Sequence, residues 1–197
     1  PARPNRVKEE LPEHHGDHDR QFWSAEARDA LLGFVNERAH AALDGSTDDR
    51  ERAFRDRAVV TMLALTGARG AELFNDPRDD HRNGLRWADV DLDRGIARVF
   101  GKTREQQPIP LTDRVVESLE RHRTVLDPAT EDWPVFPTRH HPSLAQAAEN
   151  GLRERGLDDG TIETAMDEAT AMAVLREHEI APPALSKNGA RTVMKRL

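Results

Sequence analysis

Arg69 and Glu72 stand three residues apart in Thr66-Gly67-Ala68-Arg69-Gly70-Ala71-Glu72-Leu73. If the chain re-enters a helix after Gly67, the two side chains share one face and the carboxylate can hold the guanidinium in place. A guanidinium fixed at a tight turn suits a phosphate, because its planar fork donates two parallel hydrogen bonds to the oxygens. The same eight residues also read as an ordinary helix C-terminus with a surface ion pair. Lys102 is the second candidate. It falls in Gly101-Lys102-Thr103-Arg104-Glu105-Gln106, between two short alternating segments, where a long cationic side chain at a hairpin tip can reach a ligand. A solvated hairpin lysine is the plain alternative. The placement is still informative in a chain whose only lysines are Lys8, Lys102, Lys187 and Lys195.

The elements that must position these groups follow from periodicity. Ser24 caps a helix from about Ala25 to Leu43, with Ala27, Leu31, Phe34 and Val35 predicted on its inner face. Gly45 to Asp49 reads as a loop. A central helix then runs through Phe54, Ala58, Met62 and Leu65, with Gly67 as its stop signal. Asn75 to Gly84 is polar, turn-rich and reads as an exposed loop. Between Leu85 and Leu111 the period changes: Ile96–Phe100 and Gln107–Leu111 read as paired strands, with Trp87–Asp91 a third. Thr112 caps a helix from Asp113 to Leu126, and Trp133–Pro137 packs back irregularly on the core. Ser143 and Thr161 start two alanine-rich helices, 144–154 and 161–178, that look like an insert. After Pro182-Pro183, Ser186 begins a last amphipathic helix carrying Lys187, Arg191, Lys195 and Arg196. That basic cluster is either a face for a DNA backbone or a solvated helix face.

Composition sets the outer bounds. At 197 residues the chain holds one domain, here 22–197, preceded by a proline-bearing arm or linker at 1–21. With no cysteine, disulfides and thiolate metal sites are excluded, and His14, His15 and His18 read as solvated linker histidines, so no metal site is predicted. No apolar run reaches membrane-spanning length, which with the lack of a signal-peptide pattern predicts a soluble, cytoplasmic protein. Acidic residues number 36 against 29 Lys plus Arg, and arginine far outnumbers lysine. Such a composition keeps a surface hydrated in a salt-rich cytoplasm. It argues mildly against nucleic-acid binding, an objection that weakens in concentrated salt, where charge-driven binding contributes little.

Three stretches taken in order carry a family resemblance. Thr66–Leu73 resembles the first arginine box of the tyrosine recombinases, the phage-integrase family. Trp87–Asp91, Ile96–Lys102 and Pro108–Leu111 are similar to that family's small sheet and lysine hairpin, and Ala184–Leu197 looks like the helix before its second box. With the composition, the chain resembles a haloarchaeal integrase over residues 22–197. The resemblance implies a mainly α catalytic domain with a small antiparallel β-sheet (an α+β fold), wrapped on double-stranded DNA by a homo-oligomer, a tetramer when assembled. It implies that Arg69 clamps the scissile phosphate and stabilises its developing charge. Glu72 then supports Arg69, and Lys102 donates a proton to the leaving 5′ oxygen. Lys187, Arg191 and Lys195 contact DNA. No cofactor is implied, because a tyrosine nucleophile conserves the phosphodiester energy in a 3′-phosphotyrosyl bond.

The chain departs from the family pattern in three ways. It contains no tyrosine, so the nucleophile is missing, and no His-x-x-Arg, so the second arginine box is missing. Asn188-Gly189-Ala190-Arg191 is a degenerate version of that box in one alignment; the helix that precedes the box fits better. The Asn75–Gly84 loop and the 140–183 stretch also lengthen the usual spacings. The simplest account is a catalytic-domain fragment that does not itself cleave DNA. A recombinase-derived binding module without catalysis, and a helical interaction protein without a DNA role, are the alternatives.

Overall fold

A computed structural model describes residues 24–197; the arm expected at 1–21 and its histidines lie outside the described residues. Among the described residues eight α-helices and a three-stranded sheet follow one another as α1 (Ala25–Ala41), α2 (Thr47–Leu65), α3 (Gly70–Leu73), β1 (Val90–Asp91), β2 (Ile96–Phe100), β3 (Gln106–Pro110), α4 (Asp113–Leu126), α5 (His141–Glu154), α6 (Asp159–Glu168), α7 (Ala171–Glu177) and α8 (Lys187–Arg196). The fold is therefore mainly α with a small antiparallel sheet, as the sequence predicts. No described helix is long and apolar enough to cross a membrane.

Helix starts are set by side-chain caps. The hydroxyls of Ser24, Ser46, Thr170 and Ser186 each accept the backbone N–H three residues on, satisfying a donor that has no partner within its helix. α2 is the axis of the fold, packed between α1 and α4. Ala58, Val59 and Met62 are fully buried on it, and so are Glu51, Arg55, Asp56 and Arg57 for the most part. These charges are matched by neighbours on α2 and by distant elements. Arg139 donates to Glu51 at 2.7 Å, Arg55 pairs with Asp56 at 2.9 Å, and Arg196 reaches back from α8 to the same Asp56. Burial of Glu51 pushes its carboxyl up, with Arg176 opposing.

One hydrophobic core joins α2, α4 and the sheet to α5–α8. Each large apolar side chain fully buried there contributes about 1.5–3 kcal/mol. Leu144, Leu152, Ile162, Val174 and Leu175 belong to that core, so 140–183 completes the domain rather than forming an insert. The strip Trp133–Pro137 is buried and acts as a zipper. It bonds Leu85 and Trp87 on one side and Leu185 on the other, at 2.7–3.1 Å.

The sheet has order β1-β2-β3, with Val90 opposite Ala97 and Arg98 opposite Pro108. Ala97 and Val99 face the core while Arg98 is exposed, the alternation expected of a half-buried strand. β3 is one of the two edge strands and carries Pro108 and Pro110, residues that sheets confine to edges.

Four expectations are corrected. On α1 the buried residues are Leu32, Val35 and Ala39, whereas Ala27 and Phe34 are exposed, because α1 meets α2 over a narrower stripe than the pattern implied. The third strand is only Val90–Asp91, since Trp87–Asp89 closes into a 3-10 turn around the buried Trp87. The helix predicted at 161–178 is two helices, because the extended backbone at Ala169 ends α6 and the Thr170 cap starts α7. α5 begins at His141, with Pro142 in its first turn, before the predicted Ser143.

Candidate functional site

Arg69 is presented by the way α2 ends. The Thr66 hydroxyl donates to the Met62 carbonyl at 2.7 Å and accepts the Ala68 N–H at 3.1 Å, so the last turn of α2 is closed by one side chain. Gly67 then takes φ of +70°, the left-handed conformation that stops a helix at little cost only for glycine. This turn leaves Arg69 at the N-cap of the short α3, in extended backbone.

Glu72 holds Arg69 twice. Its Oε2 accepts the Arg69 backbone N–H at 2.8 Å and its Oε1 accepts Nη1 at 3.1 Å. The backbone bond is half of a capping box, with the N3 carboxylate reaching back to the N-cap. The Glu72 side chain is 2% exposed, whereas that of Arg69 is 67% exposed. A buried carboxylate thus aims a guanidinium whose outer edge faces solvent.

The Asn75–Gly84 loop, expected to be simply exposed, is instead a closed excursion. The Leu85 N–H donates to the Leu73 carbonyl at 3.0 Å, and Asn75 bridges to Asn83, so the chain returns to where it left. The extra length therefore does not carry the following sheet away from α3. Gly84 makes the return possible: its φ is +83°, and a Cβ there would lie 2.7 Å from that of Ala184.

Arg82 projects inward from the loop. Nη1 donates to the Ala71 carbonyl of α3 at 2.8 Å, Nη2 to the Gly101 carbonyl at 3.2 Å, and Nε to Asp79 at 3.2 Å. Gly101 immediately precedes Lys102, and Ala71 lies two residues beyond Arg69. One guanidinium therefore spans the two elements that bear the sequence-predicted cations. The hairpin base is gripped further: His81 stacks on Phe100 at 5.2 Å, and Arg104 pairs with Asp79 at 3.6 Å. Lys102 itself is exposed at the tip.

α8 also packs against α3. Gly70, Ala71 and Phe74 share a groove of about 550 Å³ with Lys187, Ala190, Arg191, Met194 and Lys195. Arg191 and Lys195 are exposed. Lys187 is partly engaged: its ammonium donates to Asp76, and that bond holds the Asp76 carboxyl below its ordinary range. Arg196, the fourth member of the cluster, is tied to Asp56. The structure thus brings Arg69 and Glu72 into contact and packs both the strand that leads to Lys102 and the helix that bears the α8 cations against α3.

Among the described residues no group of His, Asp and Glu is arranged to hold a metal. Arg82 and Asp79 were not singled out by sequence reasoning. Their only signal is indirect, the apolar pair Leu73-Phe74 before the loop and Leu85 after it, which mark a chain returning to the core.

Comparison with known proteins identifies the family. Residues 36–180 match the model of the phage integrase family. That span includes Arg69, Glu72, Lys102 and helices α5–α7, and ends before α8. Similar proteins include the tyrosine recombinase XerC of Mycobacterium sp. (strain KMS), 30% identical over 175 residues, which cover 86% of this chain and 48% of the relative. XerC of Chlorobaculum parvum is 37% identical over 101 residues, 49% of this chain and 27% of the relative. XerC of Xanthomonas axonopodis pv. citri is 32% identical over 100 residues, 51% of this chain and 30% of the relative. The chain spans less than half the length of each of these relatives. With a family match across most of its length and a helical domain with the small sheet in place, this chain belongs to the phage integrase family.

Proposed function

We propose that the chain is the phosphate-clamping part of a site-specific DNA recombinase, acting on double-stranded DNA as a homo-tetramer. The observation that carries this reading is the Arg69–Glu72 unit, an exposed guanidinium aimed by a buried carboxylate, with the Lys102 hairpin beside it. In the complete protein a tyrosine hydroxyl attacks the scissile phosphorus, the P–O5′ bond breaks, and a 3′-phosphotyrosyl link forms. Arg69 stabilises the charge that builds on the non-bridging oxygens, where a preorganised donor acts with no reorganisation. Lys102 gives its proton to the departing 5′ oxygen, and the reverse steps rejoin the strand. Arg191 and Lys195, with Lys187 when it leaves Asp76, meet the DNA backbone and fix its register.

With no tyrosine, the 197-residue chain supplies the clamp and the acid but not the nucleophile. Its acid-rich surface fits a saline cytoplasm such as that of a haloarchaeon. The test has two parts. Duplex binding by the chain, followed by fluorescence anisotropy, is expected to weaken in Arg69→Ala and Lys102→Ala. A longer form carrying a C-terminal tyrosine is expected to form a covalent adduct with a nicked suicide duplex, and Arg69→Ala to abolish it. Duplex binding without any adduct in the longer form points instead to a recombinase-derived binding module. No duplex binding at all would leave an interaction protein.

A further inference from the structure

We propose that Arg82 is a positioning residue that sets the separation between Arg69 and Lys102, an inference that rests on the recombinase reading for its purpose but not for its geometry. Three donors of one planar group reach three places: α3 through Ala71, the hairpin base through Gly101, and the loop itself through Asp79. No other side chain has the shape for this. A lysine ammonium in the same place can follow one carbonyl or the other, whereas the guanidinium fork fixes both at once.

The grip is aimed at the hairpin and not merely at the fold. β2 and β3 are already paired along five positions, so the strands do not need Arg82 to stay together. What that pairing leaves undetermined is the pose of the hairpin end relative to α3, and the Gly101 carbonyl is where Arg82 takes hold. The guanidinium also lies 5.9 Å from the centre of the Phe100 ring, with Arg104 at the same distance. Asp79 of the loop is shared between Arg82 and the hairpin residue Arg104, so it ties the loop to the hairpin a second time. The loop that lengthens the spacing between Arg69 and Lys102 therefore also supplies the brace that fixes it.

The chain has no cysteine, so a pair of introduced ones is labelled uniquely. Spin labels on Arg69→Cys and Lys102→Cys, read by pulsed dipolar spectroscopy, are expected to give a single narrow distance peak. In the Arg82→Met background that peak is expected to be lost to a broad, multi-component distribution. Arg82→Lys, which keeps the stem and the charge, is expected not to restore it. A residue that only stabilises the fold would lower the melting temperature and leave the peak narrow. If Arg82→Met does not fold, judged by circular dichroism, Arg82→Lys decides. A peak that stays narrow in either folded variant overturns the proposal. The functional reading is scored separately on the cysteine-free chain: if the peak broadens as expected but Arg69→Ala leaves duplex affinity unchanged, the brace stands and the recombinase role falls.

Discussion

Asp56 and Glu72 are both buried carboxylates that face arginines, and they hold them to different ends. Asp56 is 1% exposed and pairs with Arg55, itself 6% exposed, while Arg196 reaches it from the C-terminal helix. Here charge is used inside the molecule to join α2 to α8. Burial lowers the pKa of Arg55, with Asp56 opposing the shift. Glu72 is equally buried, but its arginine is mostly in solvent. In the first case both ions lose water and the pairing chiefly avoids a penalty. In the second only the carboxylate is desolvated, and the guanidinium keeps its outer donors for another anion. Burial of the carboxylate is common to both; exposure of the arginine is what distinguishes them.

The comparison can be broken most sharply at Asp56. Asp56→Ala strands Arg55 in the core, and unfolding by urea is expected to show a loss of about 3–5 kcal/mol. His122, buried beside the same pair, gives the next effect. Its Nε2–H donates to the Val135 carbonyl at 2.7 Å, and burial lowers its pKa to about 4. The unfolded imidazole takes up a proton near pH 6.5 while the folded one stays neutral until about pH 4. Stability from this group is therefore complete above pH 6.5 and lost as the pH falls toward 4, by about 3 kcal/mol in all. Comparing melting curves of wild type and His122→Gln across that range should show the acid-side loss in the former and less of it in the latter.

Glu72→Ala removes two charge-assisted bonds around Arg69, and its expected cost in the free energy of urea unfolding is about 1.5–3 kcal/mol. Arg69→Ala, on the other side of the same bond, should cost about 1 kcal/mol, because Glu72 Oε2 keeps the backbone N–H while Oε1 loses its partner. On the proposed function its main effect falls on duplex binding, where the slope of log affinity against log salt should fall by about 1. If Arg69→Ala proved as destabilising as Asp56→Ala, the distinction between the two carboxylates would be lost.

How far the sequence discloses all this depends on the range of the interactions. Local signals were legible: the Ser24 and Ser186 caps, the Gly67 stop, α4 from Asp113 to Leu126 and the β2–β3 hairpin all rest on residues close together in the chain. Arg69 with Glu72 belongs to the same class, since the pair spans three positions. What was hidden depends on partners far away. Arg55, Asp56 and Arg57 look like the wet face of a helix until α4 and α8 cover them. Arg82 looks like one more charge in a polar loop, because its acceptors are backbone carbonyls at Ala71 and Gly101, and carbonyls carry no residue-type signature. The break between α6 and α7 was missed because Glu168-Ala169-Thr170-Ala171 holds neither glycine nor proline.

The prolines of β3 bear on how copies of this protein meet. Leu111 donates its N–H inward to Gly95 at 2.7 Å, so by the alternation of a strand the N–H groups of positions 106, 108 and 110 point away from the sheet. Two of those three positions are proline and have no N–H to offer. A neighbouring chain approaching this edge would find almost no donors, so strand-to-strand pairing is blocked there. The β3 edge is thus closed to unplanned strand-to-strand association by residue type alone, with no charge and no covering element needed.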